Sequence, residues 1–125
     1  MIHLDTHVVL WLYLGEVERF SASAREWLAA ARPMVSPMVR LELSFLHEIG
    51  RITEPAAVIL DALRVDADLG VAEGGFERVA AIAATLTWTR DPFDRMIVAH
   101  ALADDLPLLT ADRRILERCA LAKAA

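Results

Sequence analysis

The chain has 125 residues, which suits a single domain over 1–125 and leaves no room for a second. It is 56% hydrophobic and 25% charged, enough apolar material for one core, while charges and prolines interrupt every apolar run; a disordered chain and a membrane span are both excluded. The formal net charge of −5 argues against a simple phosphate-binding surface, although every basic residue except Lys123 is an arginine, the side chain that grips phosphate in two places.

The opening residues, Met1-Ile2-His3-Leu4-Asp5, lack the basic region and apolar stretch of a signal peptide, so the expected location is the cytoplasm. Met1 to Leu4 reads as a short strand, and Val8 to Leu14 as a helix. A second helix starts near Ser21, where Ser23 and Glu26 have the spacing of a capping box. Met34 to Ser36 reads as a buried strand. Pro37 suits the first turn of a third helix, which runs to about Gly50, a good C-terminal cap. Another helix starts at Thr53, has Pro55 in its first turn, and ends near Arg64. Residues 67–72 read as a strand, and Phe76 to Leu86 as a helix. Asp91 and Pro92 open a helix through about Leu102. Pro107 to Thr110 is a further strand, and Asp112 to Arg118 a last helix, with room for a short strand after it. Cys119, the one cysteine, reads as a small buried hydrophobe.

Short apolar strands that alternate with helices call for a parallel sheet covered by helices on both faces. In such folds ligands sit outside the carboxyl ends of the strands. Asp5 and Asp112 both fall where a strand ends. Two more acids interrupt apolar helical stripes. In the helix from Pro37 the stripe is Val39, Leu43, Leu46 and Ile49, and Glu42 lies inside it; Glu48, on the opposite face, is an ordinary solvated acid. In the helix from Asp91 the stripe is Ile97, Val98 and Ala101, and Asp94 lies in its midst. Asp91, just before Pro92, fits the N-cap instead.

Burying a lone carboxylate costs several kcal/mol, on the order of what one core side chain contributes, so each acid needs a partner. Taken one at a time, Asp5, Asp94 and Asp112 can cap helices, and Glu42 can pair with Arg40 or Arg51. Taken together, they point to a shared oxygen-rich site for a hard cation. The histidines (His3, His7, His47, His100) form no zinc-like spacing, and His47 and His100 read as structural or exposed. GxGxxG, GxxxxGK[ST] and GxSxG are all absent.

These stretches resemble a known family. Leu4-Asp5-Thr6-His7 followed by Leu10-Trp11 resembles the opening of PIN-domain toxins of the VapC type. Arg40-Leu41-Glu42-Leu43 followed by Gly50-Arg51-Ile52, then Arg90-Asp91-Pro92-Phe93-Asp94-Arg95 running into Ile97 to Ala101, then Leu108-Leu109-Thr110-Ala111-Asp112, are similar to their later motifs, in order. His100 stands where many relatives have Gln. The resemblance implies a three-layer α/β/α sandwich with a central, mainly parallel sheet of four to five strands. It implies Mg²⁺- or Mn²⁺-dependent cleavage of RNA, and an antitoxin protein as inhibitor. It puts the catalytic, metal-binding acids at Asp5, Glu42, Asp94 and Asp112. Thr6 and Thr110 are expected to bond the acids or the phosphate, and Arg95, Arg113 or Arg114 to hold flanking phosphates. The antitoxin is expected in an apolar groove between the early helices, near Trp11, Leu12 and Leu46. A homodimer is expected. The rival expectations are a PIN-like module that binds RNA or protein without cutting, a receiver-type signalling domain, and a metal-dependent phosphatase. The receiver lacks its lysine, since Lys123 stands nearly at the end, and the phosphatase lacks its Asp-x-Asp.

Overall fold

In the computed structural model, which describes residues 1–125, five strands and seven α-helices alternate along the chain. They are β1 (Ile2–Leu4), α1 (Thr6–Leu14), α2 (Ala22–Ala30), β2 (Pro33–Val35), α3 (Pro37–Glu48), α4 (Ala56–Ala67), β3 (Gly70–Val71), α5 (Phe76–Thr85), α6 (Pro92–Asp104), β4 (Leu108–Thr110), α7 (Arg113–Arg118) and β5 (Ala122–Ala124). The strands form one sheet in the order β3-β2-β1-β4-β5, and every pairing is parallel. The expected sheet is therefore present, with five strands and wholly parallel.

The strand order fixes where a ligand belongs. The chain leaves β1 toward β2 and β3, then crosses over to β4 and β5. With right-handed crossovers, the helices between β1 and β3 cover one face and those between β3 and β5 the other. The connections after β1 and β4 therefore diverge, and a crevice opens at the carboxyl ends of these two adjacent strands. Asp5 and Asp112 are the residues that follow there.

The core lies on both sides of β1 and β4. Ile2, Leu4, Leu108 and Leu109 are fully buried, with Val8, Val9, Val39, Leu43, Ile97 and Ile115 packed around them. Each fully buried Leu or Ile contributes about 1.5–3 kcal/mol. α3 meets both α4 and α6, so the helix that carries Glu42 touches the one that carries Asp94. His100, buried in α6, ties them further: its Nδ1 is 2.7 Å from Ser36 Oγ, and that hydroxyl also caps α3 by accepting from Met38 N at 3.1 Å. His100 is thus structural, and His47 is exposed, as expected.

Several boundaries differ from expectation. The cap of α2 is Ser21, whose hydroxyl accepts from Ala24 N at 3.1 Å, not Ser23. α4 starts at Ala56 with Pro55 as its N-cap, three residues later than Thr53, because Pro55 favours extended backbone before itself. α1 begins at Thr6, capped by Asp5. The strand expected over 67–72 shrinks to Gly70–Val71, since Asp68 turns the chain with φ 54°. That turn is clamped by Arg32, whose Nε donates to Asp68 O at 2.9 Å. A short 3-10 turn at Val17–Arg19 was not anticipated. The stripe of α3 ends at Leu46: Ile49 is 51% exposed, because the helix closes there and Gly50 (φ 76°) turns the chain away. Arg51 N then donates to Leu46 O at 2.8 Å and Gly50 N to His47 O at 3.1 Å, a Schellman closure.

Candidate active site

Asp5 ends β1 and is 5% exposed. Its backbone N–H donates to Leu109 O at 3.0 Å, the last rung of the β1–β4 ladder. Both of its carboxylate oxygens are engaged. Oδ1 accepts from Thr6 N at 2.8 Å, and Oδ2 accepts from Thr110 Oγ1 at 2.6 Å. The same Thr110 oxygen accepts from Asp112 N at 3.0 Å. One buried hydroxyl at the end of β4 thus joins the two strand-end acids. Asp112 caps α7, its Oδ1 accepting from Arg114 N at 2.8 Å and Ile115 N at 3.1 Å. Asp91 caps α6, accepting from Phe93 N at 2.8 Å and Asp94 N at 3.4 Å. The side chain of Asp94 caps nothing.

The acids act on one another. Burial is the main force that pushes the Asp94 carboxyl up to about 7, with repulsion from Asp91, Asp5, Asp112 and Glu42 added to it. Burial also raises Glu42, with further repulsion from Asp5 and Asp91; the Thr6 hydroxyl and His7 oppose it. Asp5 is raised by burial, against the hydrogen bonds from Thr110 and Thr6 and the nearby His7, and Asp112 adds repulsion. Asp94 therefore lies within electrostatic reach of the other three acids singled out from the sequence. Asp91 belongs to the same field, a role that its N-cap position did not reveal. His7, which the sequence ties to no role, is the one basic group that eases both Asp5 and Glu42. Its only signal was its place two residues after the strand-end acid. Glu48 is exposed, as its side of α3 predicted.

The donors are all oxygen, the chemistry that hard divalent cations prefer. Their mutual repulsion is what a cation relieves, so the residue set fits Mg²⁺ or Mn²⁺. No three His, Cys, Asp or Glu side chains stand close enough to form a finished cage. The carboxylates of Asp5 and Asp112 are held by backbone and hydroxyl donors, whereas those of Glu42 and Asp94 accept no such bond.

The remaining candidates divide. Thr110 is fully buried and bonded to Asp5 and Asp112, so of the two roles expected for it the geometry shows the carboxylate one. Thr6 is also fully buried; its Oγ1, the hydroxyl that eases Glu42, meets no partner in hydrogen-bonding geometry. Arg95 donates from Nε to Thr89 O at 2.8 Å, which ties one edge of its guanidinium to the backbone and leaves the two Nη groups for other partners. Arg113 is exposed on the first turn of α7, and Arg114 reaches Trp88 O at 3.4 Å.

The groove between the early helices exists but has a different lining. Leu10, Tyr13, Leu14, Arg51, Ile52 and Ile59 enclose about 220 Å³. Trp11 is instead taken up by Phe20, edge-on at 5.8 Å, and by the Arg19 guanidinium 5.4 Å from its ring centre. Leu12 lines a separate cavity of about 480 Å³ near Arg32, Asp66 and Asp68, and Leu46 borders neither. Leu10, Tyr13 and Leu14, spaced i, i+3 and i+4, share the face of α1 that borders the groove.

The PIN domain family model matches residues 2–121. The chain belongs to the PIN-domain family, among its VapC-type members. Ribonuclease VapC22 of Mycobacterium tuberculosis is 34% identical over 115 residues, covering 90% of this chain and 87% of that one. Two solved structures share the fold at low identity. One is VapBC2 from Rickettsia felis bound to a DNA fragment from the promoter, with TM-score 0.69 and 16% identity over 100% of this chain and 98% of that one. The other is DNA-bound VapBC from Salmonella typhimurium, with TM-score 0.67 and 20% identity over 99% and 96%.

Proposed function

We propose that the protein, as a single nuclease domain over 1–125, hydrolyses RNA phosphodiester bonds with Mg²⁺ or Mn²⁺, and that it is the toxin half of a bacterial toxin–antitoxin pair working in the cytoplasm. The observation that carries this is the pair of strand-end acids, Asp5 and Asp112, joined through Thr110 at the carboxyl edge of β1 and β4, with Glu42 and Asp94 near enough to feel their charge and burial raising Asp5, Glu42 and Asp94. The membership of the family and the ribonuclease relative agree with it. No helix is long and apolar enough to cross a membrane.

Asp5, Asp94 and Asp112 would hold the cation, with Glu42 as a further ligand or as the group that orients the attacking water. Once bound, such a cation lowers the pKa of a water and neutralises charge that develops on the phosphate. Thr110 keeps Asp5 in place and sets the start of α7, so that Asp5 and Asp112 hold a fixed separation. Arg95 and Arg113 would hold flanking phosphates. No protein nucleophile is required, and the expected product carries a 5′-phosphate. A PIN-like module that binds without cutting would have no use for four mutually repelling acids.

Purified protein incubated with mixed RNA should cut it in Mg²⁺ or Mn²⁺ and stop in EDTA. Undiminished cutting by a verified metal-free sample would sink the carboxylate site, and no cutting with any divalent ion would sink the ribonuclease. Within α3, Glu42→Gln should lower the cleavage rate by about tenfold or more with no loss of thermal stability. Glu48→Gln, on the exposed side, should change neither. Equal effects of the two in a rate assay and a melting curve would remove Glu42 from the site.

A further inference from the structure

The loop between α5 and α6 turns three consecutive backbone carbonyls toward side chains. Thr87, Trp88 and Thr89 lie outside every helix and strand, and no backbone N–H reaches their oxygens. A different arginine takes each one. Arg90 Nη1 donates to Thr87 O at 3.0 Å, Arg114 Nη1 to Trp88 O at 3.4 Å, and Arg95 Nε to Thr89 O at 2.8 Å. The loop itself is fixed. Trp88 packs against the main core, and Thr89 is buried with its hydroxyl accepting from Asp91 N at 3.2 Å. Three residues of backbone span at most about 11 Å, so the guanidiniums are gathered in a short row. Each has five N–H donors and uses one here. None of the three stands within ion-pair distance of a carboxylate; the arginines that do are Arg19, Arg32 and Arg64, with Glu16, Asp68 and Asp61. Yet acids are their neighbours in the chain: Arg90 precedes Asp91, Arg95 follows Asp94, and Arg114 is two residues past Asp112. The loop carbonyls hold the positive arms off these acids, and the charges that act most on Asp94 are all carboxylates.

We propose that Arg90, Arg95 and Arg114, racked on the carbonyls of Thr87, Trp88 and Thr89, grip successive phosphates of the RNA strand next to the acid site, which makes Arg90 a substrate-binding residue. This rests on the ribonuclease function proposed above. A planar guanidinium matches two phosphate oxygens at once. A free arginine has to be ordered when it binds, which weakens its grip; these three are ordered beforehand by the loop. The row also answers a difficulty in the charge. A chain of net charge −5 repels a polyanion as a whole, so affinity needs positive charge concentrated in one place. Arginines folded onto Asp94 and Asp112 would neutralise those acids and compete with their cation. The loop keeps both charges usable side by side. An acidic segment of a protein partner could take the same guanidiniums. The border with the acids favours a chain of phosphates, with one at the cation and the next on the row.

The test compares wild type, Arg90→Ala, Arg114→Ala and the control Arg25→Ala. Arg25 also bonds a backbone carbonyl, Nη2 to Val17 O at 2.9 Å, but from α2. All three side chains are exposed, so the variants should fold, and melting curves check it. Binding is measured in Ca²⁺ over a range of salt with two probes. One is a single-stranded oligouridylate; the other is the same oligomer with every linkage a neutral methylphosphonate. Arg90→Ala and Arg114→Ala should each weaken oligouridylate binding by about five- to tenfold. The slope of log K against log salt should become shallower by about 0.7, the change expected for one lost contact to a single strand. On the neutral oligomer both variants should bind like wild type. Arg25→Ala should match wild type throughout. Unchanged binding and slope in Arg90→Ala would overturn the rack. A loss that persists on the neutral oligomer would do so too, since it marks a damaged loop rather than a phosphate contact. Unchanged oligouridylate binding with lost binding of polyglutamate would overturn it and assign the arginines to an acidic protein segment. If the expected pattern holds but wild type cuts no RNA in Mg²⁺ or Mn²⁺, the ribonuclease function fails while the rack stands.

Discussion

Asp94→Asn is expected to lose at least about a hundredfold in RNA cleavage while the metal-free protein becomes more stable. Asp91→Asn is expected to keep most of its activity. The two acids lie within one turn of α6 and differ in what they touch. Asp91 is used as a cap, bonding Phe93 N and Asp94 N, and Asn caps about as well as Asp. Asp94 makes no such bond and faces Asp5, Glu42 and Asp112 electrically. Its folded pKa, about 7, lies above the ordinary 3.8. Between those values the folded state holds a proton that the unfolded chain releases, so stability falls as pH rises through this window. Asp94→Asn removes that decline. Solvent screening at this half-buried carboxyl leaves an expected gain of about 1–2 kcal/mol near neutral pH, or roughly 4–8 degrees. The check is a set of melting curves in EDTA from pH 4 to 8 beside cleavage rates in Mg²⁺. Loss of activity in Asp91→Asn with Asp94→Asn still active would reverse the two roles. The same proton must leave before a cation can bind, so metal affinity should weaken as pH drops below about 7.

Ile52→Asp is expected to free the nuclease from its inhibitor. The open apolar groove between α1, α4 and the chain after α3 is the proposed seat of a partner helix. Leu10, Tyr13, Ile52 and Ile59 form its wall, with Arg51 at the edge. A carboxylate at residue 52 would have to be buried against these side chains when a partner docks. Central apolar contacts of this kind carry about 2 kcal/mol or more each, so inhibitor binding should weaken by some hundredfold. Cleavage of RNA by the isolated protein should not change, because the groove is made from residues outside the acid cluster. In cells, wild type expressed alone should arrest growth and the inhibitor should rescue it. Ile52→Asp should arrest growth with or without the inhibitor. Full rescue of the variant would place the partner elsewhere, and growth unaffected by wild type alone would sink the toxin while sparing the nuclease.

The sequence carried the sheet because its strands are short apolar runs that end in polar residues. Asp5 and Asp112 were legible for the same reason, as the first residues past such runs. Glu42 and Asp94 were legible because period 3.6 places them among apolar neighbours. What escaped depended on distance across the fold. Asp91 looked like a cap and is one, yet its charge also falls on Asp94, which only the packing of α6 over the strand ends determines. The stacking of Phe45 on Phe93, 48 positions later, likewise has no signal in the chain and follows from the packing of α3 against α6. The choice of Ser21 over Ser23 as cap turned on which hydroxyl met a free N–H, and two serines two residues apart look alike without the backbone. The groove escaped because α1 is apolar all round, so its sequence does not say which side, that of Leu10, Tyr13 and Leu14 or that of Trp11, meets α4.

The parallel sheet also has a practical polarity. β5 runs alongside β4, and Ala125 N donates to Thr110 O at 3.0 Å. Residue 125 therefore emerges beside the acids, whereas Met1 emerges from the opposite margin of the sheet. A polyhistidine tag fused after Ala125 would dangle imidazoles next to a carboxylate site and compete for its cation or screen it from RNA. The same tag before Met1 would sit a full strand length away. Reporter fusions, surface immobilisation and spectroscopic labels intended to leave cleavage untouched belong at that amino end.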